Sequence, residues 1–211
     1  MQSNSKKQIR SMTVIAILFA VVIVLYFLNI PIIPGALSIT FTLIPVAVGA
    51  ILYGPWCGLA LGTMFGLISF TQSMTGDPLG SALLNLDPIN ALFLFIMCVP
   101  TRALMGLGVG LIYKVFRVQE NRGPRFHVAH IVANLMAPIL NTLLFTSMLV
   151  LFFYNTEPIQ SIAVHLGANN VFLFIVLLVG LNFLIELAVS LIIGYVATSR
   201  LAIIKMKLDS N

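Results

Sequence analysis

The sequence predicts an all-α integral membrane protein of six transmembrane helices with both termini cytoplasmic. Three observations carry that expectation. Hydrophobic residues make up 60% of the chain and charged ones 8%, with a mean hydropathy of +1.08, so the main solvent of this chain is lipid. Its apolar runs can cross a hydrocarbon core of roughly 30 Å as helices, and they lack the alternation of barrel strands. Ten of the eleven Lys and Arg residues lie at the ends of those runs. Little sequence is left for a separate soluble domain, and residues 1–211 read as a single transmembrane domain.

The helices are expected near 12–29, 41–53, 56–71, 89–114, 127–153 and 168–198. The first follows Lys6, Lys7 and Arg10 and resembles a secretory signal in its basic flank. A retained helix is the better reading, because the run from Met12 to Leu28 exceeds a usual signal core and its removal would leave an odd number of spans. Residues 30–40, with Pro31, Pro34 and Gly35, form an outer loop. Helices two and three are short, and Tyr53-Gly54-Pro55 between them favours a tight turn over a break in one long helix. The outer connection 72–88 carries Gly76-Asp77-Pro78 and Asn85-Leu86-Asp87-Pro88. Along helix three, Gly54, Gly58, Gly62 and Gly66 recur every four positions. Such a stripe permits close helix packing, inside the bundle or against a partner.

Orientation follows from the flanking cations. Lys6, Lys7 and Arg10, then Lys114, Arg117, Arg122 and Arg125, then Arg200, Lys205 and Lys207 fall on one side when the spans are six. The positive-inside rule makes that side cytoplasmic. The opposite connections hold Asp77, Asp87 and Glu157 and no Lys or Arg. The net charge of +5 is thus a topology signal, and no aromatic-interleaved basic patch points to nucleic acid. Cys57 and Cys98 fall toward opposite membrane faces, so no disulfide is expected.

The eleventh cation, Arg102, lies inside a span. At 1.5 Å per residue, Arg102, Asn141 and Glu186 come out roughly 18–21 Å above the inner boundary on three different helices. Asn182 lies one turn from Glu186 on the same face. A charge at that depth costs about 2.5–3.5 kcal/mol on insertion scales, so it should face the bundle interior and have a partner. Two readings remain open: Arg102 and Glu186 pair with each other, or the cluster floors an outward-facing ligand pocket in which the guanidinium grips a carboxylate. Asp87 and Asn90 join the candidates because they lead directly into the helix carrying Arg102.

No catalytic, metal or nucleotide motif appears. His127 and His130 fall near the inner surface and His165 outside, and there is no His-Glu-x-x-His, Gly-x-Ser-x-Gly or P-loop pattern. No cofactor is expected, and ATP hydrolysis, if it drives this protein, belongs to other subunits.

Several segments together resemble the substrate-binding S-components of energy-coupling factor (ECF) vitamin transporters. They are the basic amino terminus, Ala16-x-x-x-Ala20 on helix one, and Ile44-Pro45 through Tyr53-Gly54-Pro55-Trp56-Cys57-Gly58. Asn85-Leu86-Asp87-Pro88 and Pro100-Thr101-Arg102-Ala103-Leu104-Met105-Gly106-Leu107-Gly108 are most similar to the pantothenate-specific members. The resemblance implies an ECF S-component-like bundle in a bacterial plasma membrane that captures a vitamin outside. It also implies docking through Ala16 and Ala20 on a transmembrane coupling protein driven by two cytoplasmic ATPases. Pantothenate would place its carboxylate on Arg102 and its amide and hydroxyls on Asn141, Asn182 and Glu186. Riboflavin, folate or hydroxymethylpyrimidine are alternative ligands. A stand-alone ion-coupled carrier would need matching halves, and no clear internal repeat is present. A purely structural subunit would need no pocket.

Overall fold

The structure is a computed structural model and describes residues 2–27, 30–33, 37–39, 41–116 and 123–209. Pro34, Gly35, Arg117 and Arg122, on which the loop and topology expectations also drew, lie outside the described residues.

Runs of apolar side chains offer the backbone no hydrogen-bond partners, so the chain satisfies its peptide groups within helices. In order these are α1 (Gln2–Phe27), a short antiparallel ribbon β1 (Ile30–Ile33) and β2 (Leu37–Ile39), α2 (Leu43–Tyr53) and α3 (Pro55–Thr75). Then come α4 (Pro78–Leu86), α5 (Asn90–Val115), α6 (Pro124–Phe153) and α7 (Glu157–His165). The last helix is α8 (Val171–Val189), continued through a π turn at Ser190–Gly194 into α9 (Tyr195–Asp209). Among the described residues, five helices are long and apolar enough to cross a membrane: those within α1, α3, α5, α6 and the α8–α9 unit. The apolar helix α2 is shorter.

Four features depart from the expected elements and connections, the first being the ribbon β1–β2 within residues 30–40, expected as a plain loop. The first helix begins well before residue 12, because its polar start remains helical beyond the apolar run. The connection before α5 folds into α4, where Asp77 Oδ2 accepts from the Gly80 N–H at 3.0 Å and Pro78 opens the first turn. The connection after α6 likewise contains α7, with a proline in its first turn. Leu83 of α4 and Ile159 and Ala163 of α7 supply the apolar contacts that hold these short helices down.

Between α2 and α3 the chain reverses at Gly54, whose φ of +93° is a conformation L side chains rarely adopt. The turn reading of that segment is correct. The remaining glycines of the stripe face α5. A Cβ on Gly58 would fall on the Gly106 carbonyl, one on Gly62 on the Arg102 carbonyl, and one on Gly66 within 2.7 Å of the Cys98 carbonyl. Their missing side chains therefore allow α3 and α5 to approach closely, and this antiparallel pair makes the most extensive helix contact described in the bundle. The stripe packs internally.

Arg10 and Lys205 meet backbone carbonyls at one end of the bundle. Arg10 Nη1 donates to the Leu208 carbonyl at 3.3 Å, and Lys205 Nζ reaches the Leu52 carbonyl while lying 4.4 Å from the Tyr53 ring centroid. Toward this basic end, one core gathers Leu18, Val22, Val46, Leu61, Phe65, Met105 and Val109. Toward the far end, another gathers Leu83, Leu94, Cys98, Leu149, Phe153, Ile159 and Phe174. Cys57 packs against the first and Cys98 belongs to the second.

Candidate substrate-binding site

Arg102 lies at the seam of these two cores. Its Cζ is 4.8 Å from the centroid of Phe65, in the basic-end core, and 5.0 Å from that of Phe145, packed against the far-end core. The side chain runs back along α5 toward the far end, as helical geometry directs, and Nη1 donates to the Cys98 carbonyl at 3.2 Å. The residue is 9% exposed, and its buried Nε has no partner among the described residues. A desolvated cation–π contact contributes up to about 2 kcal/mol, and a charged hydrogen bond about 1.5–3 kcal/mol. Two such rings and one such bond are commensurate with the roughly 2.5–3.5 kcal/mol insertion cost of an arginine at mid-helix. A carboxylate is therefore not required merely to keep Arg102 in the bundle.

Asn141 lies on α6 one turn toward the basic end from Phe145, so Arg102 and Asn141 occupy neighbouring levels. Its Oδ1 is buried without a partner among the described residues. On α8, Asn182 Nδ2 donates to Glu186 Oε1 at 3.2 Å, and Asn182 Oδ1 is again buried without a partner. Glu186 is 3% exposed.

Packing nearer the basic end sets the register between α6 and α8–α9. Asn134 Nδ2 donates to Thr198 Oγ1 at 2.9 Å, while its Oδ1 presses on Gly194, where an added Cβ would come within 2.6 Å. About two turns toward the far end from this contact, α6 reaches Asn141 and the last helix reaches Glu186. Each helix also departs from regular α bonding near its polar residue: Pro100 in α5, Pro138 in α6, and the π turn beginning at Ser190 in the last helix. Such departures free backbone groups and recur at functional sites.

The two remaining candidates hold local structure. Asp87 Oδ1 accepts from the Ile89 N–H at 2.9 Å, and Asn90 Nδ2 donates to the Leu83 carbonyl at 2.8 Å. Together they tie α4 to the start of α5. His127 and His130 join a separate network near the basic end: His130 Nδ1 donates to the Phe126 carbonyl at 2.7 Å and Nε2 faces the Tyr113 hydroxyl at 3.5 Å, while His127 Nδ1 lies 2.7 Å from the Tyr195 hydroxyl. Among the described residues, no three His, Cys, Asp or Glu side chains gather as a metal site.

Residues 10–197 match the family described as ECF transporter, substrate-specific component. The chain belongs to this family. The substrate-specific component is a transport subunit of a multi-pass membrane system, not an enzyme, and its family implies a T-component, ATPases and a small-molecule substrate as partners. No curated protein matches the chain.

In this substrate-specific component, Ala16 and Ala20 are exposed on α1, alongside Met12, Ile17, Val21 and Val24, while Leu18 and Val22 face the core. The two rings on Arg102 were not evident as its neighbours from sequence. Phe145 is one turn from Asn141 on α6. Phe65 follows Gly62 by one turn, and the close approach at Gly62 brings it over the guanidinium.

Proposed function

We propose that this substrate-specific component binds pantothenate with high affinity outside a bacterial plasma membrane and delivers it through a transmembrane coupling protein and two ATPases. The observation supporting this reading is that three of the five buried side-chain polar atoms without partners among the described residues, Arg102 Nε, Asn141 Oδ1 and Asn182 Oδ1, belong to the candidate residues on three helices. Each such atom costs about 1–3 kcal/mol when left unpaired, so a ligand with one carboxylate and several N–H or O–H donors would relieve the set. Pantothenate offers a carboxylate to Arg102 and an amide N–H and hydroxyls to Asn141, Asn182 and Glu186. Phe and Met side chains suit its branched methyls. Asp87 and Asn90 would serve the ligand through the corner they hold.

The same reading takes residues 1–211 as a single transmembrane domain with six spans and both termini cytoplasmic. The exposed α1 face with Ala16 and Ala20 would dock on the coupling protein, since small side chains let another helix approach.

Calorimetric screening of the purified chain against water-soluble vitamins tests the substrate. Pantothenate should bind tightly, and Arg102→Ala should weaken it by about 10–150-fold, the equivalent of one charged hydrogen bond. Binding of riboflavin, folate or hydroxymethylpyrimidine in its place would keep the family and reject the substrate. ATP-independent accumulation by this chain alone in vesicles would overturn the subunit role.

A further inference from the structure

Arg102 is held at three points by groups from three helices. Phe65 of α3 and Phe145 of α6 turn their ring faces to its Cζ, at 4.8 and 5.0 Å, and the Cys98 carbonyl of α5 takes Nη1 at 3.2 Å. A guanidinium presents its five N–H groups in one plane, as forks that match a carboxylate. With Nη1 engaged and Nε without a partner, the fork formed by Nε and Nη2 is the one available for bidentate recognition. An arginine free to rotate would lose orientational entropy on gripping a carboxylate. One already held would not.

We propose that Phe65 and Phe145 are positioning residues that hold Arg102 with its Nε–Nη2 edge toward the substrate carboxylate. The inference rests on the reading of Arg102 as the carboxylate receptor. Its structural basis is specific: Gly62 lets α3 close on the Arg102 carbonyl, and Phe65, one turn along, then covers the guanidinium. Phe145 completes the clamp from the helix that also carries Asn141.

Titration of the purified full chain with pantothenate and with its neutral carboxamide analogue, pantothenamide, separates positioning from packing. Wild type should prefer the acid. Phe145→Leu should lower acid affinity about tenfold while leaving the amide within about twofold, and Phe145→Tyr, which retains the ring face, should restore the preference. Phe145 is only partly buried and is the deciding variant; Phe65→Leu, at a 2% exposed position, is read beside its melting temperature. Equal loss of acid and amide affinity in Phe145→Leu, or an unchanged ratio, overturns the positioning role. Arg102→Gln distinguishes the two levels of inference. If it retains the acid preference, or if wild type binds no pantothenate, the receptor reading fails and the clamp with it. If it abolishes the preference while Phe145→Leu keeps it, the clamp alone fails.

Discussion

Asn141, proposed above as a ligand contact, has an Oδ1 that is buried and finds no partner among the described residues. An amide oxygen left unpaired costs free energy, and no side-chain bond like that of Asn134 to Thr198 offsets it at Asn141, so Asn141→Leu, close in volume, should leave the melting temperature in detergent unchanged or raised. Pantothenate affinity should fall about 3–10-fold, as for one neutral hydrogen bond. A large drop in melting temperature would instead assign Asn141 to helix packing. Arg102, Asn182 and Glu186 stood out in the sequence for the same reason, since polar groups inside apolar runs are few and their depth follows from helical rise. Phe65 and Phe145 did not, being two of fifteen phenylalanines. Only their approach to the guanidinium sets them apart. Asp87 and Asn90 were legible as polar residues at a helix entrance; the bond of Asp87 to Ile89 is a local turn, whereas that of Asn90 to Leu83 depends on α4 folding back toward α5.

At the scale of elements, the contact of α3 with α5 governs the geometry around Arg102. Gly62→Ala would place a methyl group on the Arg102 carbonyl and force the helices apart. We expect it to destabilise the protein by about 1–3 kcal/mol, the range of overpacked sites, and to lower the melting temperature in detergent. Tolerance of alanine there would mean that the helices separate at little cost. The four-residue glycine spacing was visible in the sequence, whereas the surface it meets was not; the internal and partner-facing alternatives differ only in what packs opposite. The short helices α4 and α7 were read as connections, because their capping signals, Asp77-Pro78 and Glu157-Pro158, also occur in turns. Apolar contacts in the far-end core, through Leu83, Ile159 and Ala163, decided in favour of helix. The π turn at Ser190–Gly194 had no sequence signal stronger than one serine and one glycine. It lies where Gly194 meets the Asn134 side chain.

Across the whole molecule, Arg10 meets Leu208 and Lys205 meets Leu52 at one end of the bundle, and α7 lies on the connection at the far end. The proposed topology makes Glu157 and Lys207 opposite in access. In a background lacking Cys57 and Cys98, Glu157→Cys should react with a membrane-impermeant maleimide on intact cells, and Lys207→Cys only after permeabilisation. Reaction of both from the same side would reject the six-span arrangement. By itself the sequence determined the solvent of the chain, the helical class and the conspicuous polar residues, because hydropathy and charge are properties of each residue wherever it folds. The tertiary structure decided which surfaces those residues meet: α3 against α5 through glycine, Asn134 with Thr198, and two aromatic rings on Arg102. Lipid solvates every apolar helix face about equally well, so interhelical register rests on close packing and buried polar contacts, which arise only when distant segments come together.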